Sequence, residues 1–152
     1  MSITHFDDLI NAAIAQPDAQ RLLLVFASVS LSNSASPAQR AAFEAGQGGE
    51  LTPVMCVDKS PQELGSFAAL LSEAAQFGHD WGIVFAAGMS GQGGVAPSSD
   101  EAEPYLQQMV EAVKEGMIDN FIAFNRKGKA VFGAKVRAVV LATNNEPMKM
   151  TE

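Results

Sequence analysis

The chain has 152 residues, of which 47% are hydrophobic and 18% charged, a composition typical of one ordinary globular domain. Its net charge of −7 disfavours general nucleic-acid binding, and its longest apolar runs, such as residues 22–27, are too short to span a membrane. One cysteine, Cys56, excludes an intramolecular disulfide, and the acidic N-terminus is unlike a signal peptide, so we expect a cytoplasmic protein.

The N-terminal third predicts a helix, a strand and a second helix. Thr4 is the expected N-cap of the first helix, which Pro17 ends. Residues 22–27 are all apolar and predict the central strand of a sheet. Residues 36–39 (Ser-Pro-Ala-Gln) have the spacing of a capping box, which predicts a short helix as far as Ala45.

The next stretch predicts one strand followed by one helix. Val54–Val57 form a continuous apolar run, as in a strand that is covered on both faces. Cys56 lies within this run and is expected to be a small core side chain. Ser60 and Glu63 form a capping box, and an apolar stripe at helical spacing follows, so we expect a helix from Ser60 to Gly78.

A third strand and a long helix are predicted further along. Trp81–Ala87 has the pattern of a strand, and residues 88–97 predict a glycine-rich loop. Ser98 and Asp100 both offer a capping box for the helix that follows. Pro104 favours a start at Asp100 or later, because proline deep inside a helix removes a backbone hydrogen bond.

The C-terminal part predicts a hairpin and a further strand. Phe121–Phe124 has the pattern of a strand, residues 125–128 predict a turn, and residues 129–132 predict the returning arm. Residues 136–141 predict one more strand. The last nine residues, 144–152, look like a flexible tail, as chain ends often are.

Together these elements predict a single α/β domain over residues 1–143. Because strands alternate with capped helices, we expect a mixed, mostly parallel central sheet with helices on its faces. The C-terminal β-hairpin is expected at one edge of that sheet.

Residues that follow the second and third strands are the candidate ligand-binding groups. In open α/β sheets, ligands bind outside the carboxyl ends of strands. This placement predicts a site for an anion or a nucleotide-like molecule, with a mobile surface loop as the alternative interpretation of the glycine run. The predicted ligand-binding residues are Asp58, Lys59, Ser90, Gly91, Gly93 and Gly94.

The sequence predicts no catalytic residues, no metal ligands and no cofactor. The two histidines, His5 and His79, are expected to lie far from Ser90, so a Ser–His pair is improbable. No His, Cys and carboxylate residues have metal-ligand spacing, and no nucleotide-binding motif is complete. We therefore expect a non-catalytic interaction or regulatory protein, with small-ligand binding as the alternative.

Charge is unevenly distributed along the chain. Residues 1–124 carry a net charge of −11, whereas residues 125–152 carry +4. The basic hairpin region predicts contact with an acidic protein partner or with a second copy of the chain. Protection of a sheet edge against aggregation is the alternative. The predicted partner-binding residues are Arg126, Lys127, Lys129, Lys135 and Arg137.

Two runs carry a resemblance to a known family: residues 43–49, with Phe-Glu-Ala-Gly at their start, and residues 51–59, Leu-Thr-Pro-Val-Met-Cys-Val-Asp-Lys. On them the chain resembles a family of short uncharacterised proteobacterial proteins over residues 21–133. Some members are labelled "ribonucleotide reductase subunit alpha". The resemblance implies no such activity here, because that enzyme has several hundred residues and several redox cysteines.

A second, looser resemblance rests on a Pro-Val pair at residues 53–54, Asp58, the capping box at Ser60 and Glu63, Leu64 and Phe67, followed later by Gly116 and the strand at residues 121–125. On these residues the chain is similar to the N-terminal domain of the SseB (enhanced serine sensitivity) family. Both resemblances imply a small α/β module and supply no catalytic residues.

Overall fold

A computed structural model of the protein describes residues 3–30, 35–44, 50–131 and 148–149. The chain forms helices and strands in alternation, with two consecutive helices after the second strand. In chain order the elements are α1 (Phe6–Ile14), β1 (Gln20–Ser30), α2 (Pro37–Glu44), β2 (Glu50–Lys59), α3 (Pro61–Leu64), α4 (Phe67–Ala75), β3 (Ile83–Ser90), α5 (Ser99–Lys114), β4 (Ile122–Asn125) and β5 (Met148–Lys149).

The strands form one sheet in the order β4-β3-β1-β2-β5. β1 pairs antiparallel with both β2 and β3, and β3 pairs antiparallel with β4. Among the strands that the structure describes, only β5, two residues long, is parallel to its neighbour, β2. The prediction of a mostly parallel sheet is therefore wrong. β2 and β3, which α3 and α4 connect, do run in the same direction. They form no hydrogen bonds with each other, because β1 lies between them in the sheet.

Helices cover both faces of the sheet, as predicted. On one face Leu106, Val110 and Val113 of α5 pack in a buried cluster with Leu23 and Val25 of β1. Burying each of these side chains contributes about 1.5–3 kcal/mol. The opposite face is covered by α1, α3 and α4, whose buried side chains include Phe6, Ile10, Leu64, Phe67 and Leu70.

Beyond β4 the sheet continues through the hairpin to the N-terminal segment. The amide of Ala130 donates to the carbonyl of Thr4 (2.8 Å), and the amide of Phe6 donates to the carbonyl of Gly128 (2.7 Å). Residues 4–6 therefore lie along the outside of the hairpin. Since α1 begins at Phe6, the sheet ends on this side where the helix starts.

The N-cap of α1 is His5, one residue later than the predicted Thr4. Its Nδ1 atom accepts a hydrogen bond from the Asp7 amide (3.0 Å). The Asp8 carboxylate accepts from the amides of Thr4 (3.1 Å) and His5 (3.0 Å), which completes a capping box. The Thr4 hydroxyl also donates to Asp8, so it supports the cap without forming it.

The predicted single helix over residues 60–78 is wrong, because the chain forms two helices there. α3 ends at Leu64, and Gly65 has a φ of 69° that breaks the helix. The Ser66 hydroxyl then accepts from the Ala69 amide (3.1 Å) and caps α4. The apolar stripe continues across the break, which is why its spacing alone predicts one helix.

The predicted start of α5 at Asp100 or later is also wrong. Ser98 is the N-cap: its hydroxyl accepts from the Glu101 amide (3.1 Å), and the Glu101 carboxylate accepts from the Ser98 amide (3.0 Å). Pro104 lies inside the helix. The capping box and the buried face of α5 therefore outweigh the backbone hydrogen bond that Pro104 cannot form.

The predicted turn at residues 125–128 is confirmed. The Gly128 amide donates to the Asn125 carbonyl (3.0 Å), and the Asn125 amide donates to the Lys129 carbonyl (2.9 Å). The predicted strand at residues 136–141 lies outside the described residues. So does the predicted tail, except for β5.

Candidate functional site

The structure brings the two halves of the predicted ligand site to the same end of the sheet. Leu22 of β1 is paired with Lys59 on one side and with Gly88 on the other. Ser90 lies slightly further along, opposite Gln20. The carboxyl ends of β2 and β3 therefore share one end of the sheet, with the start of β1 between them.

Asp58 points towards α5 and is buried, with 7% of its surface exposed. Its Oδ1 accepts from Nε of Arg21 (2.6 Å), and its Oδ2 accepts from the Ser99 hydroxyl (3.0 Å). A second guanidinium nitrogen of Arg21 is 2.5 Å from Oδ1. Both carboxylate oxygens are thus bonded within the fold, where they join β1, β2 and α5.

Lys59 points to the opposite face, as successive side chains of a strand do. Only 2% of the residue is exposed, and its Nζ lies 3.0 Å from Oε1 of Glu73 in α4. This ion pair holds α4 against β2. Asp58 and Lys59 are therefore neighbours in sequence whose charged groups lie on different faces of the sheet.

The glycine-rich loop contains a tight two-residue turn. The amide of Gln92 donates to the carbonyl of Val95 (3.1 Å), and the reverse bond is 3.0 Å long. Gly93 and Gly94 lie between them with φ values of 62° and 79°. Positive φ at both central residues is the conformation that two-residue hairpin turns require, so these glycines serve the turn geometry.

Ser90 belongs to β3, so the predicted loop start at Gly88 is too early. The Ser90 hydroxyl accepts from Nε2 of Gln20 (2.8 Å). The Gly91 amide donates to the Ala19 carbonyl (2.8 Å). The Ser90 hydroxyl and the Gly91 amide, both predicted to bind a ligand, are therefore bonded to the segment that enters β1.

Arg126, the first of the predicted partner-binding residues, is anchored to the sheet. Its guanidinium donates to the Trp81 carbonyl (2.8 Å) and lies 4.8 Å from the centroid of the Trp81 ring. The second contact is a cation–π interaction, worth about 0.5–1 kcal/mol at exposed sites. Arg126 thus fastens the hairpin turn to Trp81, two residues before β3 begins.

Lys127 and Lys129 are exposed, and the backbone that carries them is fixed. Oδ1 of Asn125 accepts from the amides of Lys127 (2.9 Å) and Lys129 (3.0 Å). His5 Nε2 lies 3.2 Å from the Lys127 carbonyl, close enough to donate to it. The other two predicted partner-binding residues, Lys135 and Arg137, lie outside the described residues.

The carboxylates of Asp8 and Glu63 have lowered pKa values, and both belong to helix caps. The Ser60 amide, which donates to Glu63, holds the pKa of Glu63 below its ordinary value. The amides of Thr4 and His5 do the same for the pKa of Asp8. These shifts follow from capping, so they indicate structural roles rather than acid–base chemistry.

Arg21 and Ser99 both bond to Asp58, and neither is among the residues predicted from the sequence to form a site. The sequence does hold an indication for Arg21, because a cation directly before an all-apolar strand becomes partly buried and is then stabilised by a carboxylate partner. The sequence gives no indication for Ser99, because it is one of two consecutive serines and only Ser98 has capping-box spacing.

Within residues 3–30, 35–44, 50–131 and 148–149, no group of three or more His, Cys, Asp or Glu side chains could hold a metal ion. None of the helices in these ranges has the length and apolarity needed to cross a bilayer. No known protein family, curated protein or solved structure matches the chain. Both family resemblances therefore remain expectations.

Proposed function

We propose that this protein is a non-catalytic, cytoplasmic protein-interaction or regulatory module. The main support is Asp58, one of the predicted ligand-binding residues, because Arg21 and Ser99 already occupy both of its carboxylate oxygens. Removing one partner of a buried ion pair costs about 3–5 kcal/mol. A ligand that drew Asp58 away from Arg21 would have to offset a cost of that kind.

The other polar groups at this end of the sheet support the same proposal. Lys59 is paired with Glu73, and Ser90 is bonded to Gln20. These contacts join strands and helices to one another. The charged groups at the strand ends are therefore well suited to holding the fold together, which leaves binding to the outer surface.

The proposal is tested by recovering partners. The 152-residue chain, carrying a tag and purified gently from its native host, should retain a specific protein partner in a near-equal molar amount. A chain carrying the same tag with Leu24→Asp, which places a charge in the buried core, controls for proteins that bind unfolded chains. Recovery of only those proteins that also bind this control would contradict the proposal.

A small-ligand site remains the second candidate, because Asp58 and Ser90 share one end of the sheet. A thermal-shift panel of nucleotides and phosphorylated metabolites separates it from the first. A compound that binds the folded state would stabilise it by mass action and raise the melting temperature. Under our proposal, no compound in the panel has this effect. A compound that raises the melting temperature of wild type but not of Ser90→Ala would favour the second candidate.

A further inference from the structure

The side chains of Lys127 and Lys129 differ from most other described cations in having no anionic partner among the residues that the structure describes. Arg21, Lys59 and Lys114 each form an ion pair with a carboxylate. Among the described residues, no carboxylate lies within ion-pair distance of Lys127 or Lys129. In this part of the chain, Lys127 and Lys129 are therefore two exposed lysines, two positions apart, that lack the carboxylate partner of the other three cations, although the net charge of the protein is −7.

The turn that carries these two lysines is already held in one conformation. Asn125 accepts from both of their amides, Gly128 closes the turn with a φ of 78°, and Arg126 attaches it to Trp81. Binding at such a turn costs little backbone entropy, because the backbone is ordered before a partner arrives.

We propose that Lys127 and Lys129 form a contact surface for an acidic segment of a protein partner, with Arg126 as the anchor that positions them. This inference rests on the proposed interaction function and names the chemistry of the partner. The backbone amides of both lysines are already bonded within the turn, so recognition occurs through their ammonium groups. The ammonium groups are complementary to carboxylates on the partner. The acidic surface of residues 1–124 would repel those carboxylates, so an acidic segment is directed to the two lysines.

Fluorescence anisotropy with a labelled oligoglutamate peptide tests this surface. At about 20 mM salt, wild type should bind the peptide, and binding should weaken as salt is added. The variant Lys127→Gln/Lys129→Gln should bind about tenfold more weakly, which corresponds to losing two surface ion pairs. Folding of each variant is verified first from the fluorescence of Trp81, which is buried.

The matched control is Gln107→Glu/Gln108→Glu, two exposed positions on α5. It lowers the net charge by the same amount as the lysine variant but leaves the turn intact, and it should bind the peptide nearly as wild type does. Equal weakening in both variants would show a general charge effect and overturn the inference. Absence of binding by wild type would also overturn it and would leave edge protection as the role of the lysines.

The two proposals can fail separately. If a native partner is recovered from the host but binds Lys127→Gln/Lys129→Gln as strongly as wild type, the interaction function stands and this surface is wrong. If no partner is recovered and oligoglutamate still binds at the lysines, the surface stands and the proposed function loses its support.

Discussion

Gly128 occupies a position where the hairpin, α1 and α4 meet and where no larger side chain fits. Its φ is +78°, and a Cβ atom would lie 2.7 Å from His5 Nε2 and 2.8 Å from a ring carbon of Phe67. The left-handed backbone costs an L-residue about 1–2 kcal/mol, and overpacking adds about 1–3 kcal/mol. We expect Gly128→Ala to lower the free energy of unfolding, measured with urea, by roughly 2–4 kcal/mol.

Gly94 provides the control for the backbone contribution. Its φ of +79° is nearly the same, but a Cβ atom there would meet nothing within 4 Å. Gly94→Ala should therefore cost only the backbone part, about 1–2 kcal/mol. Equal losses in the two variants would mean that the contacts with His5 and Phe67 do not restrict Gly128.

Glu63 contributes stability that depends on pH. Its pKa is lowered in the folded state, chiefly by the Ser60 amide, so the unfolded chain binds this proton more readily. The contribution is complete above the ordinary value of 4.5 and is lost as the pH falls through the lower pKa of the folded state. Acid should therefore weaken the cap of α3.

The variant Glu63→Gln tests this pH dependence. Glutamine keeps an oxygen that can accept from the Ser60 amide but does not titrate. We expect its urea midpoint to fall less than that of wild type between about pH 6 and pH 3, with Asp8 supplying part of the remaining decrease. Identical pH profiles would contradict a role for Glu63.

At the level of single residues, local contacts were predictable and distant ones were not. The capping boxes at Ser60 and Ser98 span three residues, so the sequence reveals them directly. The bond between Arg21 and Asp58 joins residues 37 positions apart. Its partners are set by the strand register, which no local pattern encodes.

Among the helices, α5 contains a residue that opposes helix formation. Pro104 is exposed and lies in the helix interior, where it cannot donate the usual hydrogen bond to the carbonyl four residues earlier. We expect Pro104→Ala to raise the free energy of unfolding by about 1–3 kcal/mol. Thermal and urea unfolding would measure the gain.

Pro61 is the matched control, because it occupies the first helical position of α3. There the missing amide has no helical partner to lose, and the fixed φ suits the helix. Pro61 is also buried, so Pro61→Ala restores no helical hydrogen bond and removes buried carbon atoms, and it should lower stability. A similar gain in both variants would mean that position within the helix is not the cause.

Two helix boundaries show that capping residues can outweigh other local patterns, namely apolar periodicity and the position of a proline. At residues 64–66 a glycine and a capping serine divided a stripe that periodicity had predicted as one helix. At Ser98 the cap determined the start of α5 although Pro104 predicted a later one. In both places the capping residues determined the boundary. The backbone groups at a helix end have no hydrogen-bond partner within the helix, and the capping residues supply one.

For the whole molecule, the α/β class and the helical cover of both faces followed from the pattern of apolar residues. The order of the strands in the sheet did not follow from that pattern. The helix α2 suggested a crossover between parallel strands, yet β1 and β2 pair directly and antiparallel. Which strand lies next to which depends on packing between distant segments, so alternation of helices and strands predicts the layers better than the neighbours.

Strand β2, which lies next to the two-residue strand β5 at the end of the described sheet, has two features that hinder pairing with another sheet. Pro53 lacks an amide hydrogen, and the register shifts where Phe26 pairs with Met55 and Ala27 pairs with Pro53. Proline and bulges are common ways to protect a sheet edge. β5 covers part of what remains by pairing with Met55 and Cys56.

The opposite side of the sheet is closed by the start of α1, and this has a consequence for misfolding. The His5 amide donates to the Asp8 carboxylate, and the His5 carbonyl accepts from the amides of Asp8 (3.0 Å) and Leu9 (3.4 Å). The outermost residue of the sheet is therefore also the first cap of the helix. Detachment of α1 would free both backbone groups at once, so any partially unfolded form that can recruit further chains at this side must first lose α1.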